Sequence, residues 1–152
     1  MIADMLVLID RQIDGRYHSN GVHITDFGLP FCSRLPINDQ PAYVPGTHAY
    51  LAPEILQNGE ASISPRSDVW AVGCIGYELC LGRKLAANRA LLEQHIRTGR
   101  LNPQTLEHLI NSIPPRFGNE VRNIIRACLV WEHMRRCSAV QLRDYILQHG
   151  QV

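Results

Sequence analysis

One segment in the middle of the chain limits the folds that are available to it. The sequence SDVWAVGCIGYELCLG, residues 67–82, begins with residues typical of a helix N-terminus and ends at a glycine, which predicts a helix. Its apolar residues lie on nearly all sides of that helix, so other elements must bury it. The chain has 152 residues, of which 45% are hydrophobic. We therefore expect one globular domain built around this central helix.

Four amphipathic helices are predicted in the part of the chain that follows, residues 87–150. The first two begin at asparagine caps, Asn88 and Asn102, and the second has a proline at its first position. In NEVRNIIRACL, apolar residues recur at intervals of three and four residues, which is typical of a helix with one buried face. The last segment, SAVQLRDYILQHG, has Ser138 and Gln141 at the spacing of a capping box.

The N-terminal part of the chain has a different pattern. Residues 5–9, MLVLI, are a short apolar run, and residues 22–25, VHIT, alternate between apolar and polar, so both predict strands. The Asp-Gly and Asn-Gly dipeptides between them favour turns. We expect a β-hairpin with a long connection. Residues 29–51 hold four prolines and no helical periodicity, which predicts a long extended segment of the kind that usually has a function.

Composition argues against several classes of protein. The net charge is +1, and the charged residues are scattered along the chain, so we expect no nucleic-acid partner. The apolar run at residues 5–9 is shorter than a membrane span or the core of a signal peptide, so we expect no membrane segment and a cytoplasmic or nuclear location.

The cysteines are odd in number and no two have the spacing of a CxxC motif. We interpret them as buried free thiols, with disulfides and zinc ligands as the less favoured alternatives. They are Cys32, Cys74, Cys80, Cys128 and Cys137.

Short motifs follow one another in a recognisable order. HITDFGLP (residues 23–30) contains Asp-Phe-Gly, which alone is a turn-prone tripeptide. GTHAYLAPE (residues 46–54) comes next, then Asp68 in the central helix, and then CLVWEHMRRCSAVQL with Arg136. In this order they resemble the second half of a eukaryotic Ser/Thr protein kinase domain, in which an activation segment separates Asp-Phe-Gly from Ala-Pro-Glu.

The resemblance implies a mainly α fold, an α+β fragment that corresponds to the C-terminal, helical lobe of a protein kinase. It would have an N-terminal β-hairpin, an activation segment and five or six helices. We divide this partial domain, residues 1–152, into the hairpin with Asp-Phe-Gly (1–28), the activation segment to Ala-Pro-Glu (29–54), the central helix (67–82) and the remaining helices (87–150).

The resemblance also implies a magnesium and nucleotide site. Phosphoryl transfer spreads negative charge over phosphate oxygens, and a fixed carboxylate holds the Mg²⁺ that neutralises it. Asp26 matches that carboxylate, Phe27 would pack in the core, and Gly28 would let the backbone swing. DMLVLI lines up with Asn-x-Leu-Leu-Ile of the family, which puts Asp4 at the second metal ligand and Leu6 at the floor of the adenine pocket.

The other matched positions concern the activation segment and the helical core. Thr47 matches the threonine that orients the catalytic loop in Ser/Thr kinases, and Tyr43 stands at the usual phosphorylation position. Glu54 is the Ala-Pro-Glu glutamate, which in the family pairs with the arginine that Arg136 matches. Asp68 matches the aspartate that anchors the catalytic loop; the simpler interpretation is a helix N-terminal aspartate stabilised by the macrodipole, and both can hold together.

Several parts of the family signature are not found ahead of Asp26. They are the Gly-rich loop, the strand lysine, its helical glutamate partner and the His-Arg-Asp loop with the catalytic base. We therefore expect a domain truncated on its N-terminal side, with no general base retained and no turnover by this chain alone.

Two hypotheses about function follow. The first is a piece of a Ser/Thr kinase, which would use ATP and Mg²⁺ to phosphorylate a protein substrate and would need the missing N-lobe. The second is a non-catalytic, pseudokinase-type module that binds a docking partner. Without the helix that precedes the catalytic loop in the family, the central helix should expose an apolar face. The resemblance would also place Ile75 and Leu79 beneath Leu6 at the adenine pocket, but ordinary core is the preferred interpretation of both.

Overall fold

The computed structural model describes residues 6–13, 16–24, 48–59 and 62–149, and of residues 6–24 it describes the backbone only. This part of the chain is mainly helical, which confirms the predicted class. Short 3-10 turns occur at His48–Tyr50, Pro115–Phe117 and His133–Arg135. The strands are β1 (Leu6–Ile13) and β2 (Arg16–Ile24), and the helices are α1 (Pro53–Asn58), α2 (Pro65–Leu81), α3 (Arg89–Arg97), α4 (Pro103–Asn111), α5 (Gly118–Cys128) and α6 (Ala139–His149).

The strands β1 and β2 pair in an antiparallel hairpin. They extend well beyond the predicted residues 5–9 and 22–25, so the expected long connection is wrong: only residues 14 and 15 separate them. Polar side chains do not stop extended backbone from pairing, and Asp-Gly suits a two-residue connection. Between Leu8 and Asp10 the register advances two residues in β1 but three in β2, from Val22 to Ser19. β2 therefore carries one extra residue, a bulge, near the Asn-Gly that predicted a turn.

The central helix α2 begins two residues before its predicted start because Pro65 occupies the first position, where a missing N–H does no harm. It ends at Gly82, whose φ of 66° is left-handed and suits glycine. Val69, Trp70 and Tyr77 are almost fully buried. The interpretation of Leu79 as core is wrong, because the residue is 78% exposed, whereas Ile75 is half-buried.

The other helices pack in two apolar clusters, of which the smaller joins Leu142 of α6 to Val69 of α2 and Cys128 of α5. Trp70 and Tyr77 of α2 pack in a cluster that includes Leu92 of α3, Ile110 of α4 and Ile125 of α5. The helices α2 and α5 approach most closely at Gly73, because a Cβ there would lie 2.7 Å from Cβ of Cys128. Among the described helices, none has the length and apolar character needed to cross a membrane.

The cysteines of the described segments are free thiols. Cys74, Cys80 and Cys128 are buried and Cys137 is half-buried, while Cys32 lies outside the described residues. Burial raises the pKa of the Cys74 thiol far above its ordinary value, and it raises the pKa of Cys128 to about 12. These thiols therefore behave as small apolar core groups rather than as nucleophiles.

Candidate functional site

The predicted site residues fall into two groups. Glu54, Asp68 and Arg136 are described with their side chains, and only the backbone of Leu6 is described, within β1. The assigned roles in metal binding, nucleotide binding and the activation segment therefore stay predictions. The predicted site residues that lie outside the described part are Asp4, Asp26, Phe27, Gly28, Tyr43 and Thr47.

Glu54 and Arg136 form a bidentate ion pair. Nη1 of Arg136 donates to Oε1 of Glu54 at 2.8 Å, and Nη2 donates to Oε2 at 3.0 Å. The arginine side chain is 0% exposed and the glutamate side chain 4% exposed. Two parallel hydrogen bonds between a guanidinium and a carboxylate are among the strongest polar contacts in proteins, and here water is excluded from both partners.

Additional donors and acceptors complete the hydrogen bonding of this pair. Arg136 also donates through Nη1 to the carbonyl of Arg66 at 2.8 Å and through Nε to the carbonyl of Val130 at 3.0 Å. Ser67 Oγ donates to Oε1 of Glu54 at 3.1 Å. Buried charges are tolerated when their remaining hydrogen-bonding groups are satisfied in this way. The pair is thus built into the protein interior.

Local sequence explains how each partner reaches the other. Pro53 begins α1 at its first position, and Glu54 follows in the first turn, where the helix dipole favours a carboxylate. Arg136 follows the 3-10 turn His133–Arg135 in extended backbone. Its guanidinium lies 5.0 Å from the centre of the Trp70 ring, a cation–π contact, and Trp70 meets Trp131 edge to face.

The Glu54–Arg136 pair therefore ties together three distant parts of the chain. It joins α1 to the N-terminal turn of α2 through Ser67, and both to the segment between α5 and α6. A buried pair with this many protein partners leaves no room for a substrate. The arrangement positions helices, and does not itself perform chemistry.

Asp68 lies in the first turn of α2 and is exposed to solvent. Partial desolvation nevertheless raises the pKa of its carboxyl above the ordinary value for aspartate. The dipole at a helix N-terminus acts in the opposite direction, because it favours the ionised carboxylate. Asp68 shares its side of α2 with Leu79, eleven residues or about three turns later.

Sequence reasoning missed a second contact, between the Ala-Pro-Glu region and α2. The Tyr50 hydroxyl donates to Oε2 of Glu78 at 2.7 Å, and Lys84 Nζ lies 4.9 Å from the centre of the Tyr50 ring. Partial burial and the Glu78 carboxylate raise the pKa of the Tyr50 hydroxyl. Ser67 was also missed, because a serine near a helix start is normally explained as a cap. No sequence pattern marked either partner.

No cluster of three or more potential metal ligands is found within the part of the chain that the structure describes. The carboxylates predicted to hold magnesium lie outside that part.

Comparisons with known proteins agree with the motifs. Residues 7–147 match the protein kinase domain family. The G2-specific protein kinase nimA of Emericella nidulans is 35% identical over 112 residues, which cover 72% of this chain and 14% of that protein. The G2-specific protein kinase fin1 of Schizosaccharomyces pombe is 32% identical over 133 residues, 85% of this chain and 17% of that protein. The serine/threonine-protein kinase Nek1 of Toxoplasma gondii is 28% identical over 128 residues, which cover 82% of this chain and 7% of that protein.

The chain spans less than a fifth of the length of each of these relatives. The match itself nevertheless extends from β1 into the last turn of α6 and includes both partners of the buried ion pair. The predicted resemblance is confirmed: the chain belongs to the protein kinase domain family.

Proposed function

We propose that residues 1–152 form the helical lobe of a Ser/Thr protein kinase domain and do not transfer phosphate on their own. The observation that carries the proposal is the buried bidentate pair between Glu54 of Ala-Pro-Glu and Arg136. The motif at the start of α1 and the motif before α6 meet in space at this pair. The helical part therefore has the contacts that would support an activation segment. The preference for serine and threonine hydroxyls as phosphate acceptors is supported by Thr47 and by the name of the Toxoplasma relative, a serine/threonine-protein kinase.

In this proposal the chain supplies metal ligands and support, and other parts supply the catalytic base and the phosphate clamp. Asp26 would hold Mg²⁺ against the phosphates of ATP, with Asp4 as a second ligand and Leu6 beneath the adenine. The metal would neutralise charge on the transferred group. Thr47 and Asp68 would orient a catalytic loop.

Residues 1–152 alone lack most of what accelerates this reaction. Phosphoryl transfer depends on positioning and on charge stabilisation by the lysine, the Gly-rich loop and the metal, and on a base near the substrate hydroxyl. Asp26 without these partners has no fixed phosphate to act on. A protein substrate and a kinase N-lobe are the partners that this function requires.

A second candidate function is a non-catalytic kinase-like module that binds a partner through α2. Leu79 is 78% exposed, and the exposed Asp68 lies on the same side of the helix with a raised pKa. A large exposed apolar side chain is an unfavourable surface for an isolated protein, and the partly desolvated carboxylate lies about three turns away on the same side of the helix. A bound segment that covers Leu79 and donates hydrogen bonds to Asp68 would relieve both.

A transfer assay with labelled ATP, Mg²⁺ and a mixture of generic protein substrates tests the proposal. Purified residues 1–152 are compared with the Asp26→Ala variant, which removes the predicted metal ligand. We expect the same background incorporation from both. Robust incorporation by the wild type that Asp26→Ala abolishes would show that these residues are a complete catalyst, contrary to the proposal.

A further inference from the structure

An open groove lies between α1 and α3, on the outside of the helical part. Its volume is about 700 Å³, within the range of about 300–1,000 Å³ that is typical of ligand sites. Leu56 of α1 and Ala90 and Ile96 of α3 give it an apolar lining, and the amides of Gln57 and Gln94 can donate to and accept from a peptide backbone.

The charged side chains that line this groove are one carboxylate, Glu93, and one guanidinium, Arg97, within a stretch of sequence rich in basic residues. Residues 83–100 contain five basic residues and one acidic residue, Glu93, in a chain whose net charge is only +1. Glu93 is neutralised by Arg89, whose Nε lies 2.7 Å from its carboxylate. Arg97, one turn further along α3, also lines the groove and is exposed. The basic residues of this stretch are Arg83, Lys84, Arg89, Arg97 and Arg100.

We propose that this groove, the α1–α3 groove, docks a short segment of a partner protein that carries an apolar side chain next to acidic residues. The apolar side chain would occupy the lining formed by Leu56, Ala90 and Ile96, while the acidic residues would face Arg97. Opposite charges at the edge of an interface steer association and select the partner. The proposal concerns recognition only, so it holds whether or not the chain takes part in phosphoryl transfer.

A peptide fits the groove better than a nucleic acid does. No aromatic side chain is among the residues that line it, whereas single-stranded nucleic acids bind largely by stacking on aromatic rings. Three of its seven lining residues are apolar, Leu56, Ala90 and Ile96, and they lie next to two glutamines. That combination suits a peptide, whose backbone needs hydrogen bonds and whose side chains can be apolar.

The position of the groove also suits a docking site. Leu56 and Gln57 belong to α1, the same short helix whose first turn holds Glu54 in the buried pair. The inner side of α1 is therefore fixed by the ion pair, and its outer side forms a wall of the groove. A partner bound there would therefore rest on a helix whose position is fixed from the inside.

Fluorescence anisotropy with a labelled peptide pool tests the proposal on the 152-residue chain. Each peptide has a central leucine flanked by random choices of glutamate and aspartate, and two matched pools replace either the leucine by serine or the acidic residues by lysine. We expect the first pool to bind, the serine pool to bind about tenfold more weakly, and the lysine pool not to bind. Added salt should weaken binding.

Substitutions in the groove locate the binding. Arg97→Glu reverses the charge and Ala90→Trp fills the apolar lining; both positions are exposed, so the fold should persist, as the melting temperature would verify. We expect at least about tenfold weaker binding from each, and no change from Arg143→Glu on α6. Undetectable binding of the first pool, or equal binding by wild type, Arg97→Glu and Ala90→Trp, would overturn the proposal. So would a single-stranded oligonucleotide that competes fully with the peptides.

Discussion

Arg136 and Glu54 lie 82 residues apart in the sequence, and both oxygens of the glutamate accept hydrogen bonds from the arginine, at 2.8 and 3.0 Å. The contact joins the start of α1 to the segment before α6. The helices α2 to α5 lie between the two residues in the sequence, and α6 follows Arg136.

The energetic role of the pair follows from its burial. Transfer of two charges from water to the interior is costly, and the attraction between them offsets that cost only with good geometry and additional hydrogen bonds. Here Ser67 and the carbonyls of Arg66 and Val130 supply those bonds. The pair therefore favours one arrangement of the helices strongly, because a misplaced α1 would leave a buried guanidinium without its carboxylate.

The close contact between α2 and α5 predicts a strong effect at Gly73. A Cβ added at this position would lie 2.7 Å from Cβ of Cys128 and 2.8 Å from Cγ of Leu129, so Gly73→Ala must push α5 away. We expect a loss of about 1–3 kcal/mol in the free energy of unfolding, measured with urea.

Gly76→Ala, one turn further along α2, is the matched control. Its Cβ would lie 3.1 Å from Cγ1 of Ile125, a side-chain atom that can shift slightly, and alanine is favoured over glycine in a helix by about 1 kcal/mol. We expect stability close to that of the wild type. Equal stability of the two variants would show that the helices are not as tightly packed as the structure has them.

The buried thiol of Cys128 predicts a loss of stability at alkaline pH. Burial raises the pKa of this thiol to about 12 in the folded protein, above the value of 9.0 for an exposed cysteine. The unfolded chain therefore loses this proton first, and the contribution of Cys128 to stability, complete below about pH 9, declines as the pH rises towards 12. Cys128→Ala removes the titration but leaves a small cavity.

Unfolding by urea between pH 7 and pH 11 measures this effect. We expect Cys128→Ala to be less stable than the wild type at pH 7 and the difference between the two proteins to shrink as the pH rises. A difference that stays constant with pH would mean that Cys128 titrates normally in the folded protein.

Asp68 tests whether the helix dipole or desolvation dominates at the start of α2. Desolvation raises the pKa of its carboxyl, so the ionised form slightly opposes folding at neutral pH, and this effect disappears as the pH falls and the carboxyl is protonated in both states. We expect Asp68→Asn to raise the stability at pH 7 by a small amount, under about 0.5 kcal/mol, and to match the wild type at acidic pH.

Thermal unfolding of the Asp68→Asn variant at neutral and acidic pH gives the answer. Lower stability of the variant at neutral pH would favour the simple interpretation, an aspartate stabilised by the macrodipole. A small gain would agree with a residue kept for a partner, since groups with a binding role often reduce stability.

The helices were predictable from local signals. The caps Asn88 and Asn102 both accept a hydrogen bond from the backbone three residues later, and the Ser138–Gln141 capping box is formed. The all-round apolar pattern of α2 correctly predicted a buried central helix. Such signals are local, so they survive without knowledge of the tertiary fold.

Other features depend on neighbours that the sequence does not reveal. The exposure of Leu79 depends on what packs against α2, and the groove beside Leu56 exists only because α3 lies at a distance from α1. The partners of Arg136 among the backbone carbonyls carry no sequence signal at all. The resemblance predicted the long-range contact between Glu54 and Arg136. Hydrophobic periodicity could not have done so, because it reports only on local structure.

A double-mutant cycle on Glu54 and Arg136 tests most directly whether their pair holds the helical lobe together. Urea unfolding is measured for Glu54→Gln, Arg136→Met and the double variant, with the exposed Arg143–Asp144 pair as the control cycle. Each single change at the buried pair should cost about 3–5 kcal/mol, and the double variant should lose clearly less than the sum. The control pair should couple by less than about 1 kcal/mol. Additive losses at Glu54 and Arg136, or single losses as small as those of the control, would contradict the account.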